Sequence, residues 1–287
     1  MASLASHFSG FLFLFPIGIR RLLCSSSLYL NNPSLFSSKP WYFSNPIWKN
    51  LDLYILSVAL PIASFSQFFI FLSFSGHPTY RFSFFHQSAS IALFWALIIL
   101  FLLREKIDPF LVNESFVFAF AGIVFLVEYT VIGEGITGVG GVVYQLLGQL
   151  TLVCAGSCLL LSVRPNSFFA EFLLSCGLVF KGTWLLQAGF SLYTDKFGLK
   201  GCQKLLVPPG SANADVHCEL EDDGSRAVAL VNLLFVVHAI GVLIAGFVLF
   251  GLMSSFKNLR CGEKSGPLLA ELESENMMHA VHEIERE

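Results

Sequence analysis

The sequence has few charged residues. Only 13% of its 287 residues are Asp, Glu, Lys or Arg, about half the share in an ordinary soluble domain, and the mean hydropathy is +0.70. The net charge is −3, and no basic stripe with interleaved aromatic residues lies outside the apolar segments. This composition excludes an ordinary soluble fold and argues against a nucleic-acid partner. It indicates instead that the lipid bilayer covers much of the surface.

Several catalytic and metal-binding motifs are also absent. The seven cysteines include no C-x-x-C pair, so zinc sites and thioredoxin-like sites have no support. No G-K-[ST], H-E-x-x-H or G-x-S-x-G segment occurs. Residues 133–138 match G-x-G-x-x-G, but they separate two apolar runs and do not join a strand to a helix, so we interpret them as a glycine-rich turn. We therefore expect no enzymatic activity, no cofactor and no bound metal.

Seven apolar runs approach or exceed the ~20 residues that a membrane-spanning helix requires. Their approximate ranges are 4–23, 52–75, 84–103, 115–133, 142–163, 168–193 and 227–253. We therefore predict an all-α fold, a polytopic bundle of about seven transmembrane helices within residues 1–253. Residues 254–287 are acidic and are predicted to form a cytosolic tail without stable tertiary structure.

The N-terminal segment permits a second interpretation. Residues 1–51 contain no acidic residue, are rich in serine and carry Arg20 and Arg21, as an organelle targeting peptide does. A cleaved signal peptide is disfavoured because no basic segment precedes the apolar core. The length of the run favours a first helix that is retained.

The distribution of Lys and Arg predicts the orientation in the membrane. With the N-terminus outside, 11 basic residues face the cytosol and 5 face the opposite side, as the positive-inside rule requires. The cytosolic set includes Arg20 and Arg21, which we place in a connector after the first helix. Cys202 and Cys218 then share an extracytoplasmic loop, where an oxidising environment favours a disulfide. The alternative is two free thiols in a cytosolic loop.

Ionisable residues fall inside the apolar runs, where an unpaired charge is costly, and we single out four of them. They are His86, Glu128, Lys181 and His238. Glu128 and Lys181 lie at matching distances from the start of two helices that run in the same direction, roughly 20 Å from the inner face. Equal depth predicts an ion pair that fixes the register of the helices. A substrate or proton pathway, or snorkelling of the charged groups, are the alternatives.

The sixth run carries further polar residues around Lys181. Lys181 and Trp184 lie on one helical face, and Thr183 and Gln187 lie on a second. Gly182 and Gly189 share a third line, where we expect a neighbouring helix to approach closely. A helix that is polar on several faces is predicted to lie inside the bundle. The candidate intramembrane polar cluster comprises His86, Glu128, Lys181, Thr183, Trp184, Gln187 and His238.

The same segment carries a family resemblance. Residues 181–190, KGTWLLQAGF, resemble the Gln-Gly-x-Trp-x-x-Gln-x-Gly-Phe signature of the transmembrane protein 45 family. The histidine-bearing segment 85–88 and the glutamate-bearing segment 125–129 are similar to that family's third and fourth helices. Lys181 stands where the family has glutamine, and Gln145 stands near an expected histidine. The resemblance therefore implies a multi-pass architecture, and no metal or proton role is carried over.

The function remains open between hypotheses of different classes. We expect a non-enzymatic multi-pass protein with a structural or accessory role in an endomembrane or the plasma membrane, with its C-terminus in the cytosol. The second hypothesis is a small-solute or proton-coupled transporter or channel that uses Glu128 and Lys181, although the two halves show no internal symmetry. A third, a metal-dependent hydrolase, needs about three convergent ligands, whereas the second to seventh apolar runs contain only two histidines, His86 and His238.

Overall fold

The computed structural model describes residues 4–43, 50–74, 78–106, 113–134, 136, 138–194, 202–205, 215–218 and 220–255. These residues form seven α-helices, which are α1 (Leu4–Asn31), α2 (Leu51–Ser73), α3 (Pro78–Lys106), α4 (Glu114–Val131), α5 (Gly138–Val163), α6 (Phe168–Tyr193) and α7 (Glu221–Ser255). All seven are long and apolar enough to cross a membrane, so the predicted all-α bundle is confirmed. The predicted tail lies outside the described residues from residue 256 onward.

The helix starts follow from local capping. The side chain of Asn113 accepts a hydrogen bond from the Ser115 N–H and begins α4, and the side chain of Ser167 does the same for the Ala170 N–H at the start of α6. Both are standard N-cap interactions that satisfy an amide left free in the first turn. After α4 the chain turns at Gly133, whose φ of 75° suits glycine.

The helix α6 lies at the centre of the bundle. It packs against α1 and α5, and the series continues outward from α5 to α4, then α3, then α2. The last helix, α7, contacts α1, α5 and α6. Most of α6 is therefore buried, whereas few residues of α2 and α7 are buried. We call the end where α1 stops and α6 begins the connector end, and the opposite end the hairpin end.

The close neighbour predicted for the glycine line of α6 is α1, which runs antiparallel to it. A Cβ on Gly182 would lie 2.9 Å from the backbone N of Phe15, and a Cβ on Gly189 would lie 3.0 Å from the Cβ of His7. From the other side, a Cβ on Gly18 would lie 2.8 Å from the backbone of α6. Missing side chains on both helices thus allow their backbones to approach, as small residues do in membrane bundles.

The first helix is longer than predicted. It continues to Asn31, whereas the apolar run ended near residue 23. Ser25 and Ser26 are fully buried, and the hydroxyl of Ser25 donates to a carbonyl of the preceding turn at 3.3 Å. The serines that follow the apolar run continue the helix, because small hydroxyls pack against protein and bond to their own backbone. The placement of Arg20 and Arg21 in a connector was therefore wrong, because both lie within α1.

Other helix limits also differ from the predicted ones. The helices α3, α5 and α7 begin several residues earlier than their apolar runs, because helical hydrogen bonding continues into polar flanks that hydropathy leaves out. Between α6 and α7, strand β1 (Cys202–Leu205) pairs antiparallel with strand β2 (Asp215–Cys218). A short 3-10 turn also follows α1, at Pro33–Leu35.

Candidate functional site

The first buried ion pair joins α6 to α4. The Lys181 Nζ donates a hydrogen bond to Glu128 Oε2, and the same nitrogen lies 5.1 Å from the centroid of the Phe125 ring. The Lys181 side chain is 2% exposed, and that of Glu128 is 23% exposed. The ammonium has therefore exchanged its water for one carboxylate and the face of an aromatic ring.

A second polar contact joins α6 to α7. His238 Nε2 lies 2.9 Å from Thr183 Oγ1, and the histidine ring packs against the ring of Phe180 with 5.0 Å between centroids. The adjacent Trp184 is buried, and its Nε1–H donates to the carbonyl of Val143 on α5 at 3.3 Å. The polar groups of α6 thus face three different neighbours, α4, α5 and α7.

The seven predicted residues do not form a single cluster. Gln187 Nε2 donates to Ser191 Oγ at 3.3 Å, within α6 itself. His86 lies elsewhere, because its Nδ1 is 3.0 Å from Glu134 Oε2 in the turn after α4, and both side chains are exposed. Lys181 and Trp184, predicted to share one face of α6, contact α4 and α5 respectively, and His86 belongs to the surface of the hairpin end.

A second buried ion pair, which sequence reasoning missed, lies at the connector end. Arg21 Nη2 donates to Glu171 Oε2 at 2.7 Å, and Arg21 Nε lies 2.7 Å from Glu171 Oε1. Ser38 donates to the same carboxylate, while Arg21 also donates to the carbonyls of Pro40 at 2.9 Å and Lys39 at 3.0 Å. This pair joins α1 to α6 and holds the segment after α1 across the end of the bundle.

The neighbouring Arg20 extends this network to α2. Arg20 Nη1 lies 2.8 Å from Asp52 Oδ2, and Arg20 Nη2 donates to Asn50 Oδ1 at 2.7 Å. Tyr42 is also buried here, and burial together with the nearby Glu171 carboxylate raises the pKa of its phenol well above 10. The phenol therefore stays neutral at physiological pH and adds no further charge to the network.

One weak signal in the sequence pointed to this network. Glu171 lies in the first turn of α6, where an acidic residue is common because it complements the helix dipole. Arg20 and Arg21 were counted as cytosolic charges. The absence of acidic residues from 1–51 meant that any partner had to come from a distant segment, but no local pattern indicates which one.

Two more contacts lie at the hairpin end. Cys202 and Cys218 form a disulfide between the paired strands, and both cysteines pack against the apolar cluster that contains Trp184. His7 Nε2 lies 3.0 Å from the Tyr144 hydroxyl, which joins α1 to α5. Among the described residues, no group of three or more His, Cys, Asp or Glu side chains is placed to hold a metal ion.

The seven apolar helices, with charged side chains paired inside the bundle, define a multi-pass α-helical membrane protein. The sequence model of one family, described as a family of unknown function (DUF716), matches residues 114–251. No curated protein matches the chain at a significant level. The match runs from the start of α4 into α7, so it contains Glu128, Glu171 and Lys181 but not Arg21.

Proposed function

We propose that this is a non-enzymatic membrane protein with a structural or accessory role, in which the buried charges hold helices together. The observation that carries the proposal is the setting of Lys181, which is 2% exposed and lies between the Glu128 carboxylate and the Phe125 ring. A residue that carries a solute or a proton has to exchange its partner for substrate or water. Lys181 instead has the surroundings of a packed core residue.

The pattern of contacts around α6 supports the same role. Charged and polar side chains of α6 contact several different helices and segments. Glu171 contacts Arg21 of α1 and Ser38 of the segment after it, Lys181 contacts α4, and Thr183 contacts α7. Buried polar groups of this kind specify which helices pair and in which register. The match to the family of unknown function and the signature at residues 181–190 together support a relationship to the transmembrane protein 45 family.

Transport remains the second candidate because Glu128 is 23% exposed. The test is a flux assay in sealed liposomes that contain the purified protein, with proton-sensitive and solute-sensitive dyes. We expect the parent chain, Glu128→Gln and Lys181→Met to show no flux above empty liposomes. A flux in the parent chain that either substitution abolishes, in variants that keep their helical circular dichroism, would replace the structural role with transport.

We further propose that the N-terminus is extracytoplasmic and the C-terminus cytosolic, with the lipid bilayer as the main partner and no nucleic-acid partner. The excess of cytosolic Lys and Arg persists when the paired Arg20 and Arg21 are set aside. The disulfide at Cys202 and Cys218 supports an oxidising compartment for the hairpin.

Thiol labelling in intact cells tests this orientation. A membrane-impermeant maleimide is expected to label Cys202 and Cys218 only after reduction, from outside on intact cells or on right-side-out vesicles. The buried Cys154 and Cys158 serve as internal controls that stay unlabelled. Labelling of the hairpin from the cytosolic side alone, or a glycan on Asn113, would reverse the orientation.

A further inference from the structure

A polar recess opens between α4 and α5 at the hairpin end, apart from the ion pairs described above. Its volume is about 240 Å³. It is lined chiefly by Tyr129, Gly133, Gly141, Tyr144, Gln145 and Gln149. The recess is smaller than the ~300–1,000 Å³ typical of sites for drug-sized ligands, so it suits one small ring or headgroup.

Two unpaired amides face this recess. Gln145 and Gln149 are one turn apart on α5, both are exposed, and neither has a hydrogen-bond partner in the part of the chain that the structure describes. They lie roughly 10 Å and 16 Å along α5 from Gly138. Because α5 has 26 residues and is longer than the ~30 Å hydrocarbon core, its first turns lie among the headgroups, Gln145 lies near their inner boundary and Gln149 lies one turn deeper. An amide in that position is costly unless a polar group satisfies it.

The residues that line the recess indicate which kind of polar group would satisfy the two amides. None of the described residues that line the recess is charged, so an ionic ligand would find no countercharge among them. Each glutamine amide offers both donors and acceptors, which suits adjacent hydroxyl groups that donate and accept in turn.

An aromatic face completes the wall. The Tyr129 ring is 43% exposed, and it lies against Gly148, where a Cβ would be 3.3 Å from two ring carbons. Its free face is available to the C–H face of a sugar ring. The Tyr144 hydroxyl already pairs with His7, so Tyr144 shapes the wall and the two glutamines supply the hydrogen bonds.

We propose that this recess binds an uncharged, hydroxyl-rich ring of about the size of one hexose, either as a lipid headgroup or as a free sugar. The inference does not depend on the structural role proposed above. It concerns a different part of the molecule and different residues.

Lipid binding to the full-length protein tests the proposal. The protein is placed in nanodiscs of phosphatidylcholine with a minor fraction of neutral monohexosyl diacylglycerol, and the retained lipid is measured by native mass spectrometry. We expect the parent chain to retain the glycolipid in preference to phosphatidylcholine. The Gln145→Leu/Gln149→Leu variant is expected to lose that preference by about tenfold.

The variant is not expected to unfold, because leucine is favoured over glutamine on a lipid-facing surface. Gln67→Leu is the matched control, since it removes an amide from α2, remote from the recess, and is expected to leave the preference unchanged. Free glucose supplies the second arm of the experiment. Its competition for the site would assign a soluble sugar, and its failure to compete would assign the lipid headgroup.

Three outcomes would overturn the proposal. One is a glycolipid preference that survives the double substitution, and another is equal retention of an anionic phospholipid at the same glutamines. The third is a dimer of the parent chain in native mass spectrometry that the double substitution dissociates with no change in bound lipid. That last result would assign Gln145 and Gln149 to a contact between two copies of the chain.

Discussion

The two buried ion pairs of α6 are held in different ways. At the connector end, both carboxylate oxygens of Glu171 contact Arg21, and Ser38 donates a further hydrogen bond. In the middle of the bundle, Lys181 has one carboxylate oxygen of Glu128 and the face of an aromatic ring. Glu171 is 0% exposed, whereas Glu128 is 23% exposed.

This difference determines what each pair contributes. A fully buried carboxylate that loses its partner keeps the whole cost of its desolvation, whereas a partly exposed one can reach water or take up a proton. We therefore expect the connector-end pair to be the more damaging one to break. The Lys181–Glu128 pair is expected to select the helix register more than to add net stability.

Breaking the connector-end pair should have the largest effect. Glu171→Leu leaves Arg21 buried without its carboxylate, and we expect a loss of about 3–5 kcal/mol in the free energy of unfolding. Denaturant unfolding of the purified protein in detergent measures it. The matched control is Glu114→Leu, which also removes a first-turn glutamate paired with an arginine.

The control should cost clearly less, because Glu114 is 30% exposed and Arg104 is 20% exposed, so water can reach the arginine that loses its partner. Equal losses in Glu171→Leu and Glu114→Leu would show that burial does not distinguish the two sites. The comparison between the ion pairs would then lose its physical basis.

The contact of α1 with α6 can be broken without touching a charge. Gly182→Val places a Cβ 2.9 Å from the backbone N of Phe15, which cannot rotate away as a side chain can, so we expect a loss of about 1–3 kcal/mol. Gly156→Val is the control, since nothing lies within 4 Å of a Cβ there. Similar thermal unfolding midpoints for the two variants would show that the ion pairs alone hold α1 against α6.

Removing the lysine of the central pair should have a smaller effect. Lys181→Met is expected to lower stability by about 1–3 kcal/mol, because it leaves the Glu128 carboxylate unpaired. In the double variant Lys181→Met/Glu128→Leu we expect stability within about 1 kcal/mol of the parent chain. A double-mutant cycle from denaturant unfolding measures the coupling energy.

The exchange of the two charges provides an independent check on that pair. Lys181→Glu with Glu128→Lys is expected to express better than either single variant. If it expresses no better, the two residues do not act as a pair.

The contact between α6 and α7 should matter least. Thr183→Val removes the hydroxyl that meets His238, and hydrogen bonds between membrane helices average about 0.6 kcal/mol. Thr151→Val is the control, because the Thr151 hydroxyl bonds only within its own helix. The yield of an engineered disulfide between α6 and α7 should fall in the first variant and stay unchanged in the second.

Sequence reasoning was reliable for features that depend on a single helix, such as its length, its low polarity and the depth of each residue along it. Long apolar runs predicted the seven helices, because every residue of a spanning segment meets the same requirement for low polarity. The depth count also placed Glu128 and Lys181 side by side, since a helix rises by a constant distance per residue. The predicted end of the first helix was less accurate, because Ser25 and Ser26 lie beyond the apolar run, whereas burial against protein keeps both serines in α1.

By itself, the sequence determined the fold class, the number of spanning helices and the faces of α6 that carry polar groups. Only the tertiary structure decided which helices are neighbours, so that Arg21 meets Glu171 across 150 residues and α1 occupies the glycine line of α6. Hydropathy averages over all faces of a helix. Whether a polar side chain faces lipid, water or another helix depends on packing between distant segments, which no local pattern encodes.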